Sequence, residues 1–575
     1  MSVAVAPLWT RKAAPSREEW VWRAALALAA LANLIGSWTY GLLDENEGRY
    51  AAIAREMLSR HDWIVPHLNG VPYLEKPPLL YWALASSIRI FGDHEVAIRL
   101  VPWAFHVATA VLTGRLAAHF GGERAGRLAA LIFLSCAGVA VIDRTILFDV
   151  PMTCFLTAAL LAWQRWEDRG AVRDLRWAAV MLALAVLSKG FVVLILAGGT
   201  VLVTLAAGRR LHRLRSLLDP AAILIFLLVA APWHLAATLR QPGFAWFYFV
   251  NEHVLRFTGA RVPHDYPTGP PWYYLARLPF YLFPWSALLP LLVLPGRRRA
   301  EPLLWAWAGC VILFFSFAGS KGFYYILPAA PPLVALLALR LRHDEERERP
   351  SYRLSLAALS TVAAGATVSL LVLFHRGGLT GIEAISLPWC VMAASAVAIV
   401  AAGAAAATGA GRRALSYGFL AAAGIAPVLA GVGLVSATEG RWSQRRLAAA
   451  VKSGYPGVPV YLYREFEAFS SLPYYLGGQL SVIDCASADL YYGRRLRPDV
   501  GIAITAREFQ EKTRATPALV VVGSWSAGEF QRRFPSATPL PLRSDRVLLF
   551  LAGSGDQPGS TRSASVRRPD FRPPG

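Results

Sequence analysis

Cysteine is scarce in this chain, with five in 575 residues. Cys136, Cys154, Cys310 and Cys390 fall in apolar runs and only Cys485 stands in a polar region, so neither a disulfide framework nor a cysteine metal site is expected. Charge is scarce too. Asp, Glu, Lys and Arg make up 17% of the residues against 55% hydrophobic, a balance that excludes an ordinary soluble domain and reads as a polytopic membrane protein. Acidic residues are the rarer sign, 37 against 58 Lys and Arg, for a formal net charge of +21. In a soluble protein that excess would suggest nucleic acid. Here most cationic clusters sit between apolar runs, where they orient a chain in a bilayer. The sequence also lacks a phosphate-cradling glycine loop, a nucleotide-binding fingerprint and a zinc-protease helix motif. No small-residue cleavage site follows the first apolar run, so that run is expected to stay as an anchor.

What is present is apolar length. Runs near 21–43, 95–119, 124–142, 147–166, 174–188, 190–208, 219–238, 272–295, 302–318, 323–340, 353–375, 386–408 and 413–436 give about thirteen expected spans, each near the roughly 20 residues that cross a bilayer. With Arg11, Lys12 and Arg17 in the cytoplasm, the cationic loops at 209–215, 297–299, 340–349 and 412–413 all fall on the same side, as the positive-inside bias requires. Counting 79–91 as a further span would move all of them outside. That short run is therefore read as interfacial or re-entrant. Ala366, Gly403, Gly409 and Gly431 in the late runs fit close helix packing.

After Ser436 the pattern changes. A helix signal at 442–451 and strand signals at 458–463, 480–483, 518–522 and 546–551 fit a small α/β domain over 437–553. An odd number of spans places it outside. The membrane part is then 1–436, and the Ser-, Pro-, Gly- and Arg-rich stretch 554–575 is expected to be a disordered tail.

The loop 44–92 least resembles its surroundings. It carries Asp44, Glu45, Glu47, Arg49, Glu56, His61, Asp62, His67, Glu75 and Lys76 between two apolar runs, more ionisable groups than a connection needs. Tyr50, Ile53, Ala54, Met57 and Leu58 share one face of a short amphipathic helix, expected at the membrane surface. The topology puts 143–151, 188–190, 241–271 and 319–322 on the same outer face, each with ionisable groups beside the membrane. Such convergence points to a site. Asp149, in Phe148-Asp149-Val150-Pro151, is the least easily explained as a helix-end anchor.

Asn46-Glu47-Gly48-Arg49-Tyr50-Ala51, Ile53-Ala54-Arg55-Glu56-Met57-Leu58, the stretch 63–70 and Tyr73-Leu74-Glu75-Lys76-Pro77 together resemble the first outer loop of the bacterial aminoarabinose (4-amino-4-deoxy-L-arabinose) transferases. These belong to the membrane glycosyltransferase superfamily that includes the protein mannosyltransferases. The resemblance continues at Leu147-Phe148-Asp149, Ser188-Lys189-Gly190-Phe191, 251–257, Trp272-Tyr273-Tyr274 and Lys321-Gly322 with Tyr325-Ile326-Leu327. It implies a GT-C type α-helical membrane fold with outer juxtamembrane helices and a periplasmic C-terminal α/β domain. It also implies transfer of a sugar from a polyprenyl-phosphate donor to a lipid A-like or other envelope acceptor, on the outer face of the inner membrane. Two departures stand out: Asn46 holds the family's aspartate position, with Asp44 two residues earlier as the candidate replacement, and 321–325 is shorter than in the family.

A phosphate leaving group needs cations, and the resemblance assigns that part to Lys76, Lys189, Lys321 and Arg256 with Tyr325, and to Arg49. Asp44 and Asp149 are the expected base or acceptor-orienting carboxylates, with Asn46 beside them. An acceptor that is itself a phosphate needs no base. Glu75 and His253 occupy positions that resemble a divalent-cation site, and zinc or a similar ion suits both. The alternatives are a protein O-mannosyltransferase-like enzyme and a transporter or flippase of lipid-linked sugars. Transporters commonly carry inverted repeats, and none is evident.

Overall fold

The computed structural model describes residues 16–293, 301–346, 382–541 and 546–553, with isolated positions between 361 and 372. The expected span at 353–375 lies largely outside these, as does the expected tail. Among the described residues, Glu95–Ser135, Pro220–Arg240, Phe323–Glu345, Ser386–Gly409 and Arg413–Ala437 are long and apolar enough to cross a membrane. Helix α1 (Arg17–Ala32) starts at a reciprocal cap between Ser16 and Glu19. The chain is a multi-pass membrane protein.

Two apolar runs fold differently from a simple span. The helical stretch α4 (Glu95–Ser135) counts 41 residues, which as a single rod would be about 60 Å at 1.5 Å per residue and twice the hydrocarbon thickness. Gly122 breaks it at φ 79°. Beyond the break the chain returns on itself: a Cβ on Gly114 would lie 2.9 Å from the Gly126 carbonyl oxygen, and one on Gly126 2.7 Å from that of Gly114. The runs at 95–119 and 124–142 are thus a glycine-faced hairpin, continued by α5 (Ala137–Asp143). The run at 272–295 splits into Tyr273–Tyr281 and a 3-10 turn at Trp285–Leu292, because Pro279, Pro284 and Pro290 each remove a backbone donor.

A platform of short elements follows α1. Helix α2 (Glu47–Arg60) buries Tyr50, Ile53, Ala54 and Met57, the face its periodicity marks. Strands β1 (His67–Leu68) and β2 (Val71–Pro72) pair antiparallel around Asn69-Gly70, at φ 52° and 88°, the left-handed pair that a two-residue hairpin demands. Helix α3 (Leu79–Phe91) has 13 residues, about 20 Å, too short to cross. Helices α6 (Asp149–Arg169), α7 (Val172–Lys189), α8 (Val192–Ala207) and α9 (Pro220–Arg240) follow in the membrane part.

The C-terminal region folds as a six-stranded sheet in the order β5-β4-β3-β6-β8-β7, from β3 (Val460–Tyr463), β4 (Ser481–Ile483), β5 (Ala503–Ile504), β6 (Ala518–Gly523), β7 (Thr538–Leu540) and β8 (Val547–Ala552). Strands β5, β4, β3 and β6 run parallel and β8 antiparallel to both neighbours. Every residue of β6 is buried, as a strand covered on both faces must be. One apolar core joins Tyr50, Ile53 and Met57 of α2 and Leu80 and Leu84 of α3 to Leu447, Leu472 and Val482. The amphipathic face of α2 is therefore covered by protein, not lipid.

Candidate functional site

Two helix ends, a 3-10 turn and two loop segments meet at a cavity of about 360 Å³. Asp149 opens α6 and Lys189 closes α7. Glu75 and Lys76 come from the loop before α3, His253 and Arg256 from the segment after α9, and Tyr325 from a 3-10 turn at Phe323–Ala329. All seven line the cavity. Its other flank is apolar: Phe191, Val192, Ile195, Val254, Phe257 and Phe314, of which Ile195 and Val254 are each 57% exposed and face outward from the protein.

The cations of this cavity are paired. Lys189 donates to Asp149, and its ammonium stands 4.3 Å from the Tyr325 ring centre. Glu252, in a π-helical segment at Trp246–Leu255, accepts through one oxygen from both Lys76 (3.1 Å) and Arg256 (2.8 Å). Its other oxygen accepts from Arg261, which also donates to Glu75 (2.9 Å) and Asp265. Burial alone would raise the Glu252 carboxyl, but Lys76, Arg256 and Arg261 outweigh it and hold the group well below the usual carboxylate range. Glu75 is likewise held down against its burial, chiefly by Arg261. π-helical turns of this kind, in which an extra residue widens the helix, recur at functional sites.

Four expected site residues lie apart from the cavity lining. Asp44 is buried at the junction with the C-terminal domain, accepting from Ser471 N (3.0 Å) and Oγ (2.7 Å) and from Gln444 (2.7 Å). Burial pushes it up to about 7 against those hydrogen bonds. It therefore lies at the junction with the sheet domain, outside the cavity lining. Arg49 donates to Asn46 (3.0 Å), to the Tyr50 hydroxyl (3.2 Å) and to Asp489 of the C-terminal domain. Both Arg49 and Asn46 thus stand behind Tyr50, which does line the cavity. Lys321, expected on the donor phosphate, instead donates to the Phe315 (2.8 Å) and Ser316 (2.6 Å) carbonyls. Those oxygens end the helix Pro302–Phe317 and have no partner within it, so the lysine caps it.

The metal expectation meets a donor set that is already used. His253 Nε2 accepts from the Phe191 N–H (3.0 Å), which leaves Nδ1 to donate to the Tyr248 carbonyl (2.6 Å). The ring is thus neutral with both nitrogens committed, and burial lowers it further from charging. Glu75 is on Arg261. As placed, Glu75 and His253 do not fit a shared metal ion. Carboxylate oxygens of Glu75, Asp265 and Asp489 lie within 4.8 Å of one another, but Arg261 and Arg49 supply their counter-charge.

Comparison with known proteins agrees with this architecture. Residues 24–248 match the dolichyl-phosphate-mannose-protein mannosyltransferase family. Over 322 residues the chain is 36% identical to the undecaprenyl phosphate-alpha-4-amino-4-deoxy-L-arabinose arabinosyl transferase of Pectobacterium carotovorum, covering 54% of this chain and 57% of that one. The protein of the same description from Aeromonas hydrophila is 35% identical over 320 residues, 53% of this chain and 58% of its own. The matches thus span just over half the length of these relatives. The crystal structure of ArnT from Cupriavidus metallidurans bound to undecaprenyl phosphate superposes with a TM-score of 0.82 at 22% identity, covering 94% of this chain and 100% of that one. The chain resembles aminoarabinose transferases in sequence over just over half its length, and ArnT in fold over nearly all of it. The GT-C type helical fold and the C-terminal sheet domain expected from the sequence are both present.

Within this aminoarabinose-transferase-like fold, sequence reasoning missed Glu252, Arg261, Asp265 and Asp489. The first three left a faint signal: Glu252 with Arg256, and Arg261 with Asp265, are opposite charges four residues apart. Asp489 left none, since its partner Arg49 is 440 residues away.

Proposed function

We propose that this chain is a membrane glycosyltransferase that moves a sugar from a polyprenyl-phosphate donor to a lipid A-like or other envelope acceptor. The observation that carries this reading is the meeting of Lys76, Lys189 and Arg256 at one cavity that also has an apolar flank. A polyprenyl chain needs the flank and its phosphate needs the cations. In the reaction the bond between the sugar C1 and the donor phosphate oxygen breaks as one to the acceptor oxygen forms, and charge grows on the leaving phosphate. Cations held where that charge develops lower the barrier. Tyr325, beside Lys189, shapes the same wall. Asp149 is the carboxylate within the cavity that takes a proton from an acceptor hydroxyl; Arg49 and Asn46 act from behind, through Tyr50. A bound divalent ion at Glu75 and His253 is not part of this reading.

We further infer that the site opens on the outer face of the bacterial inner membrane, with the N-terminus cytoplasmic and the sheet domain periplasmic. The cationic loops at 209–215 and 412–413 support that orientation. The test is to incubate the full-length chain with undecaprenyl-phosphate-linked aminoarabinose and lipid A and to read the lipids by mass spectrometry. A sugar adduct is expected. Its absence, with modified protein in place of modified lipid, would favour the protein mannosyltransferase alternative.

A further inference from the structure

We infer that Glu252 is an internal counter-anion occupying the donor phosphate's place, which the donor must displace from Lys76 and Arg256 and which returns to expel the phosphate product. The inference rests on the reading of the cavity as the donor site and adds a specificity-determining residue to it.

One oxygen of Glu252 takes hydrogen bonds from Lys76 at 3.1 Å and from Arg256 at 2.8 Å. Both cations line the cavity, as does Glu252 itself. A phosphate oxygen and a carboxylate oxygen accept from the same donors with similar geometry. The cavity thus already holds, built from its own chain, the contact that a phosphate would make. Lys189 is matched in the same way by Asp149, so each Lys and Arg lining the cavity has an acidic partner before any donor arrives.

Exchange is feasible because Glu252 has a second anchor. Its other oxygen is held by Arg261, a buried residue that also keeps Glu75 and Asp265. When phosphate takes Lys76 and Arg256, Glu252 retains Arg261 and is not left as a bare buried charge, the outcome that makes breaking a buried pair costly. Lys76 likewise has Glu75 at 3.7 Å. The swap trades one anion for another around fixed cations. It follows that the site discriminates by charge, since a neutral polyprenol cannot compete with the carboxylate. It follows too that the product, a phosphate monoester carrying more charge than the donor diester, is the species Glu252 must oppose.

The test measures undecaprenyl phosphate binding to the full-length chain in lipid nanodiscs, for wild type, Glu252→Gln and Glu252→Gln with Lys76→Met. Glu252→Gln should bind on the order of tenfold more tightly, since a neutral amide competes poorly for charged donors. Its kcat should fall as product release slows, with product inhibition appearing at correspondingly lower concentration. In the Lys76→Met background the gain in affinity should shrink to about twofold, because one of the two released cations is missing. Unchanged or weaker binding by Glu252→Gln overturns the inference and leaves Glu252 as scaffold. A thermal melt checks that the variant is folded; should it not be, Glu252→Asp, whose shorter arm withdraws from Lys76, is read with the same expected direction. Wild type that binds no undecaprenyl phosphate overturns the donor reading and this inference together. Wild type that binds, with no gain in either Glu252 variant, overturns this inference alone.

Discussion

Arg49 and Asp489, 440 residues apart in the chain, form one buried ion pair that ties the loop after α1 to the sheet domain. Burial, reinforced by Glu467 and Glu75, raises Asp489 from the ordinary carboxylate value, and the charge of Arg49 opposes that shift. The pair orients Asn46 and the Tyr50 hydroxyl, and Tyr50 is part of the cavity wall.

Arg49→Gln and Asp489→Asn should therefore each lower turnover while leaving donor binding nearly unchanged. The double variant should be little worse than either single one. A double-mutant cycle on kcat is expected to show a coupling of about 1–3 kcal/mol. Additive losses would mean that the two residues act separately.

Lys189 and Lys321 should part company. Lys189→Met removes a cavity cation and strands the buried Asp149 carboxylate, so donor use should fall by on the order of a hundredfold and the melting temperature should drop. Lys321→Met loses a helix cap, with a stability cost of about 1–3 kcal/mol, while the donor KM stays within about twofold of wild type. Measuring both variants at matched protein levels separates the two roles.

Asp44 makes a pH prediction whose sign is fixed. Its folded value of about 7 lies above the ordinary 3.8, so the folded protein holds a proton that the unfolded chain has released. The resulting stability is fully present below the unfolded value and is lost as pH rises through about 7. Between about pH 5 and 8 the wild-type melting temperature should fall. Asp44→Asn cannot ionise and should show a shallower slope, with transfer activity retained. Loss of transfer in Asp44→Asn at normal stability would restore Asp44 to the chemistry.

Orientation is checked by cysteine labelling in intact cells. Positions beside Arg210 should be protected from impermeant reagents and exposed positions such as Arg507 should react. Equal labelling of both would overturn the proposed topology.

Much of the fold was readable because it depends on local or periodic signals. Apolar runs mark membrane segments, and the face of α2 follows from Tyr50, Ile53 and Met57 recurring at helical spacing. The Gly122 turn was legible as two runs with a gap. The broken segment after Trp272 was harder, since Pro279, Pro284 and Pro290 lie in an apolar stretch that hydropathy alone joins. In the site, Lys76, Lys189 and Arg256 were legible through motifs, but their partners were not. Nothing local distinguishes Lys321, which turns inward to carbonyls, from Lys189, which turns to a carboxylate. The surroundings of Asp44 were hidden for a similar reason: its partners Gln444 and Ser471 are 400 and 427 residues downstream.

That separation has a consequence for biosynthesis. Gly41 waits for Glu439 and Asn69 for Leu480, 398 and 411 residues later. At about 5–20 residues per second, the first loop emerges many seconds before the C-terminal segments that clamp it exist. During that interval the nascent chain already carries Lys76 and Lys189, yet Arg49 has no Asp489 to hold it. Completion of the polypeptide thus acts as the licence for activity, and a late stop codon that spares every membrane helix should still yield a silent protein.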